Sequence, residues 1–176
     1  MDYFELIARR ESCREYAPAA VEHDKLVACL EAARIAPSAS NGQPWSFIAV
    51  ETAEIGSQVA KCLQTAGMNR FADGCSCFVV IVEEESNLTA RFGAGMKKQD
   101  YSSVDIGFAA AQFCLAATAQ GLSTCVVGWF DEPALKTRLG IAEQKRIRLV
   151  ICVGYANKTD VRAKVRKPLD EIVTFR

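Results

Sequence analysis

The sequence predicts a single α/β or α+β domain, on three observations. About four short apolar strands and five helices follow one another in mixed order, which fits layered sheet-and-helix folds rather than a bundle or an all-β sandwich. The chain of 176 residues is 50% hydrophobic and 24% charged, the balance of an ordinary globular domain. A chain of this size buries roughly 70% of its unfolded surface, so its core needs no disulfide or metal. No internal repeat, low-complexity tract or linker divides it.

Asp2 to Arg9 places Phe4, Ile7 and Ala8 at helical spacing, and a second helix runs from His23-Asp24 through Leu26, Val27, Leu30, Ala33 and Ile35 until Pro37 stops it. Trp45 to Val50 reads as a strand, Ser57 to Thr65 as a helix closed near Gly67, and Cys77 to Val82 as a fully apolar strand before the acids Glu83 to Glu85. The segment 91–102, with Gly93, Gly95, Lys97 and Lys98, shows no clear period and is expected to be a mobile loop. Ser103 to Gln120 is Ala-rich and bounded by Gly121, so it reads as the central core helix. Asp105, Gln112, Thr118 and Gln120 argue against a membrane span there. Ser123 to Trp129 reads as a strand, Asp131 caps a short helix that ends at Gly140, and Arg146 to Val153 is the last strand.

The tail 157–176 is basic up to Lys167 and then apolar at Leu169, Ile172, Val173 and Phe175. An apolar terminal segment needs a surface to cover, on its own domain or on another subunit.

Lys plus Arg equals Asp plus Glu at 21 each, so no overall basic field points to nucleic acid or anionic membrane. A small molecule or a protein is the expected partner. The N-terminus shows no basic run followed by an apolar stretch, and a cytoplasmic location is expected. There the eight cysteines should be thiols, most of them small core hydrophobes. Cys75-Ser76-Cys77 is the one close pair. It lacks the spacing of a zinc ribbon or a thioredoxin-like site, and no metal is expected.

Three clusters could carry chemistry. Arg10, Ser12 and Arg14, with Arg9 and Glu11, could grip a phosphate through charge-assisted hydrogen bonds, or could be a solvated helix end. Pro37, Ser38, Ser40, Asn41 and Gln43 form a polar loop before Trp45 whose amides and hydroxyls could read the edge of a heteroaromatic ring, or simply join helix to strand. Lys164, Arg166 and Lys167 form a second basic patch. The two basic patches could converge on one small anion, but spacing alone does not show it.

The sequence also lacks several motifs. Gly93-Ala94-Gly95 has no third fingerprint glycine, no Walker-type loop appears, and His23 is the sole histidine, expected at the surface. Such residues suit a bound cofactor that carries the reactive chemistry itself.

Five segments, in order and across nearly the whole chain, resemble the FMN-dependent nitroreductase family. They are Arg10–Tyr16, Ala36–Trp45, Asp105–Gly107, Gly121–Trp129 and Arg166–Val173. The Pro-Ser-x-x-Asn-x-Gln-Pro-Trp stretch is the most specific. The resemblance implies an α+β three-layer sandwich, with a central mixed or antiparallel sheet flanked by helices, in an interlocked homodimer. Two FMN molecules would lie at the interface, with the segment 157–176 reaching across to the partner.

Carried over residue by residue, the resemblance implies phosphate and ribityl contacts at Arg10, Ser12 and Arg14 with Lys164 and Arg166, and Lys167 as a further basic position. It implies ring contacts at Pro37, Ser38, Ser40, Asn41 and Gln43, in part from the second subunit. Gly128 and Trp129 fall beside the reactive edge of the flavin. Two positions depart from the pattern: Glu11, within the phosphate motif, stands where a base is frequent, and Ser40 stands where glycine is common. The implied reaction is ping-pong, NADH or NADPH giving hydride to FMN and a nitroaromatic, quinone or enone then taking it in the same pocket. Phe92 and Tyr101 in the segment 91–101 are candidate lids. Two alternatives stay open. One is other flavin chemistry on the same scaffold, such as fragmentation, reductive dehalogenation or ring dehydrogenation. The other is a non-enzymatic flavin-binding or redox-sensing protein that uses Cys75 and Cys77.

Overall fold

A computed structural model describes residues 1–158 and 160–176. Among these residues the sheet has four strands in the order β1-β2-β4-β3, every neighbouring pair antiparallel. The strands are β1 (Trp45–Val50), β2 (Cys77–Glu83), β3 (Ser123–Val127) and β4 (Arg146–Gly154). The helices are α1 (Tyr3–Arg9), α2 (His23–Arg34), α3 (Ala53–Leu63), α4 (Leu88–Lys97), α5 (Tyr101–Ala119) and α6 (Glu132–Leu139). The chain is α+β and three-layered, as the resemblance implies.

The sheet alternation builds the layers. Cys77, Val79 and Ile81 of β2, with Ile151 and Val153 of β4, face Leu26, Cys29 and Ala33 of α2 and Ile106, Ala109, Phe113 and Ala117 of α5. Phe78, Val80 and Val82, with Val150 and Cys152, face Val59 and Leu63 of α3 and Leu135 of α6. The two central strands are covered on both sides, which is why β2 is a continuous apolar run rather than an alternating one. A bulge skips Arg148 between the Ile81–Leu149 and Val82–Ile147 pairs. The apolar helix α5 meets the length and hydropathy of a membrane span, yet its apolar side lies in this core against α2.

Local chemistry sets the helix ends. Asp2 and Glu5 form a reciprocal capping box on α1, and Asp131 accepts from the Ala134 amide to start α6, which Gly140 ends in the left-handed region at φ 65°. The segment expected to be a loop at 91–102 is instead mostly helix. Asn87 caps α4 by accepting from the Ala90 amide at 2.9 Å, and Leu88, Phe92 and Met96 fall at four-residue spacing. Each glycine in a helix interior costs only about 1 kcal/mol, so Gly93 and Gly95 weaken α4 without breaking it. Phe92, on α4, is exposed, and Tyr101 opens α5.

Gly154, at the end of β4, has no room for a side chain. A Cβ there would lie 2.8 Å from Tyr16 Cδ1 and 3.3 Å from Ser76 Oγ. Gly154→Ala is therefore expected to destabilise the fold by about 1–3 kcal/mol through overpacking, read as a lower denaturation midpoint. An unchanged midpoint would mean that Tyr16 moves aside freely.

Candidate functional site

The two basic patches converge. Arg10, Ser12 and Arg14 share a groove of about 280 Å³ with Arg162, Lys164 and Arg166. The N-terminal segment of this groove is pinned to the sheet by a bridge between Ser12 and Thr124 and by the Cys13 amide, which donates to the Thr124 carbonyl at 2.9 Å. The tail is laid against it by side chains. Lys164 Nζ donates to the Ala8 carbonyl, and Arg162 Nη2 donates to the Ser12 carbonyl at 2.6 Å.

Glu11 lies in the groove wall, but its carboxylate is engaged. Glu11 Oε2 accepts from Arg162 Nε at 3.0 Å, so the acid clamps the tail in place of adding a base. The groove thus carries five cationic side chains against one carboxylate, a strongly anion-attracting balance. Arg14 is held over the ring of Phe71, its guanidinium carbon 6.0 Å from the centroid. A cation over an aromatic face is fixed in place without losing its charge.

Arg162 and Phe71 were missed by sequence reasoning. Arg162, Lys164 and Arg166 lie at every second position of a segment with no helix, and in extended chain such residues share one side. That spacing was the available signal for Arg162. Nothing in the sequence marks Phe71.

The polar loop does not line this groove, and neither do Gly128 and Trp129. Its conformation is fixed from two sides. Buried Asp105 Oδ2 accepts from the Ala39 amide at 3.0 Å, and Asn87 Nδ2 donates to the Ser40 carbonyl at 2.8 Å. Ser40, Asn41 and Gln43 have φ of 50°, 53° and 45°, all in the left-handed region. Ser40 thus adopts the backbone path that glycine takes most easily, and the departure at this position leaves the path intact. Ser38 Oγ accepts from the Gln43 amide at 3.0 Å, and Gln43 Nε2 donates to Asn41 Oδ1 at 3.2 Å. Pro37 precedes this turn, just after α2 ends.

Strand β3 stops at Val127, so Gly128 and Trp129 lie in the connection to α6 and not in the strand expected to run to residue 129. Asn69 Nδ2 donates to the Trp129 carbonyl at 3.1 Å and to the Leu63 carbonyl at 3.0 Å, which pins that connection to the end of α3. The Trp129 side chain is 61% exposed.

A larger cavity of about 600 Å³ lies between the end of β2, α4 and the start of α5. Its acids are engaged: Lys145 Nζ donates to Glu84 at 2.7 Å, and with Ser46 holds that carboxyl below the usual range. The expected close pair Cys75 and Cys77 divides between layers. Cys77 is buried toward α2 and α5, where burial pushes its thiol up to about 12, whereas Cys75 packs against the opposite core. His23 is at the surface, with Nδ1 3.1 Å from Glu51.

The nitroreductase family model matches residues 7–155. An oxygen-insensitive NADPH nitroreductase from Helicobacter acinonychis is 26% identical, over 97% of this chain and 95% of its own. Iodotyrosine deiodinase 1 from Sus scrofa is 23% identical, over 98% of this chain and 68% of its own. The structure of an FMN-dependent nitroreductase from Clostridium difficile R20291 superimposes with a TM-score of 0.77 at 23% identity, covering 98% of each chain. With the family's segments in order on an antiparallel sheet between two helical layers, and the family model matched from Ile7 to Tyr155, the chain belongs to the nitroreductase family.

Proposed function

We propose that the chain is an FMN-dependent NAD(P)H oxidoreductase, acting as a homodimer by a ping-pong sequence on a nitroaromatic, quinone or other small electrophilic acceptor. The observation that carries this reading is the groove where Arg10, Ser12, Arg14, Arg162, Lys164 and Arg166 meet. Guanidinium forks, an ammonium and a hydroxyl are the donor set for a phosphate monoester, and about 280 Å³ suits such a group. FMN, when bound, supplies hydride chemistry at its ring N5. The protein's share is charge neutralisation at the phosphate, together with placement of the ring by Pro37, Ser38, Ser40, Asn41 and Gln43 and by the backbone at Gly128 and Trp129.

The homodimer is supported by what the single chain leaves uncovered. Trp129, Leu169, Ile172 and Phe175 are exposed, the last at 87%. In this proposal residues 1–176 are one domain, and the segment 157–176 covers apolar surface on a partner subunit. That partner brings its polar loop to the groove's flavin.

The test is the visible spectrum of the purified protein before and after anaerobic NADH and then NADPH. A flavin spectrum that bleaches is expected. No flavin uptake even with added FMN would sink the proposal, and a flavin that stays oxidised would favour a binding or sensing role. Sedimentation supplies a further check, since flavin content and dimer should rise and fall together. A flavin-loaded monomer would contradict the shared site. The likeness to iodotyrosine deiodinase 1 favours one second reading, reductive dehalogenation, which halide release from a halogenated phenol would distinguish from nitro reduction.

A further inference from the structure

Among the described residues that line the cationic groove, Glu11 is the one carboxylate, and its side-chain hydrogen bonds all go to a single residue. Glu11 Oε2 accepts from Arg162 Nε at 3.0 Å and from the Arg162 backbone amide at 3.3 Å, so it fixes both the side chain and the segment that carries it. Arg162 Nη2 donates in turn to the Ser12 carbonyl at 2.6 Å. Two edges of the guanidinium are thereby anchored, and both hydrogens of Nη1 and the second hydrogen of Nη2 are left for an anion. The anchor is firm, since Ser12 and Cys13 are bound to Thr124 of β3. The tail is held more lightly. Among the described residues, four hydrogen bonds tie the segment 160–176 to the rest of the chain, of which Arg162 makes three and Lys164 the fourth.

We infer that Glu11 is a positioning residue for the phosphate end of the ligand: it holds Arg162 in the groove, and Arg162 supplies there the cation that position 11 lacks. The inference takes its ligand from the flavin reading above and its geometry from the groove alone. Net charge by itself argues the opposite. A carboxylate beside a phosphate dianion repels it, so removing Glu11 should tighten binding. The geometry reverses that sign, because Arg162 without Glu11 is an exposed side chain on an extended segment, repelled by Arg10 and Arg14 across the groove. Only the fraction of molecules with Arg162 in place would then bind at full strength. The coupling is reciprocal: the docked tail raises affinity for the anion, and the anion stabilises docking of the tail by the same factor.

The first test is titration of the apoprotein with FMN and with riboflavin across a double-mutant cycle. Glu11→Ala should weaken FMN binding by about threefold to fivefold, the upper range for a solvent-facing ion pair, and leave riboflavin unchanged. Glu11→Gln, which keeps an acceptor for Arg162, should lose less. In the Arg162→Ala background Glu11→Ala should instead tighten FMN by about twofold, because only the repulsion remains. A merely structural role for Glu11 would weaken FMN and riboflavin alike in both backgrounds, and a purely repulsive one would tighten FMN in both. Either result would overturn the inference.

The second test reads the tail itself. Trypsin cuts after Arg162, Lys164 and Arg166, and release of the tail from the purified protein is followed by mass, in inorganic phosphate or in chloride of equal ionic strength. Phosphate should slow the cut after Arg162 severalfold in the wild type and clearly less in Glu11→Ala. Equal protection of the two proteins, or protection of neither, would overturn the inference. This arm needs no flavin, so a protein that takes up no FMN would sink the flavin reading while the part of Glu11 is still decided by the tail.

Discussion

Replacing Arg162, Lys164 and Arg166 together by alanine is expected to lower FMN affinity by on the order of 100-fold or more, since each charge-assisted contact carries about 1.5–3 kcal/mol and about 1.4 kcal/mol is tenfold. The three side chains sit on one extended segment and meet Arg10 and Arg14 across the groove. Neighbouring cations share one ligand, so their losses do not simply add. Riboflavin, which has the ring but no phosphate, separates the roles: its affinity should stay nearly the same while that of FMN falls, as read by quenching of flavin fluorescence. Stability should change little, because the Arg162–Glu11 pair is solvent-facing and such pairs contribute about 0–1 kcal/mol. An equal loss for riboflavin and FMN would show that the groove does not hold the phosphate.

Arg14→Ala alone is expected to weaken FMN retention by about 10- to 100-fold, from the same ~1.5–3 kcal/mol per charge-assisted contact. Arg14 differs from the tail cations in being fixed before any ligand arrives, by the Phe71 ring under its guanidinium. Phe71→Leu keeps the charge and removes only the aromatic face, worth about 0.5–1 kcal/mol at an exposed site, so its loss should be about twofold to fivefold. Arg14→Lys should fall between the two, because an ammonium cannot reproduce the bidentate fork. Titration of the apoprotein with FMN orders the three variants. Arg14→Ala with unchanged affinity would remove Arg14 from the site.

Both predictions rest on residues whose part in the site was legible to different degrees. Arg10, Ser12 and Arg14 stand next to a helix end, and Lys164, Arg166 and Lys167 crowd into four positions of the tail, so each patch shows as a local excess of charge. Their meeting does not show, because about 150 residues of chain separate them and only the parallel bridge of Ser12 to Thr124 and the tail's hydrogen bonds to Ala8 and Ser12 bring them together. Phe71 had no signature at all, since a single aromatic becomes a support only when a cation from another segment lands on it.

By itself the sequence determined a layered sheet-and-helix domain, its strands and most helix boundaries, and the family resemblance narrowed α/β or α+β to α+β. Side-chain periodicity and capping act over a few residues and are written directly in the order of Asp2, Asp131, Gly140 and the apolar runs of β2 and β4. It misjudged α4, where two glycines outweighed the Asn87 cap in a local reading. Only the tertiary structure decided three further matters: which basic residues share a groove, that Glu11 clamps Arg162, and that Cys75 and Cys77 pack into different layers. The physical reason is common to all three. Each depends on contacts between segments far apart in sequence, and such contacts are fixed by how the sheet's register and two faces bury the core, a property of the whole chain rather than of any window along it.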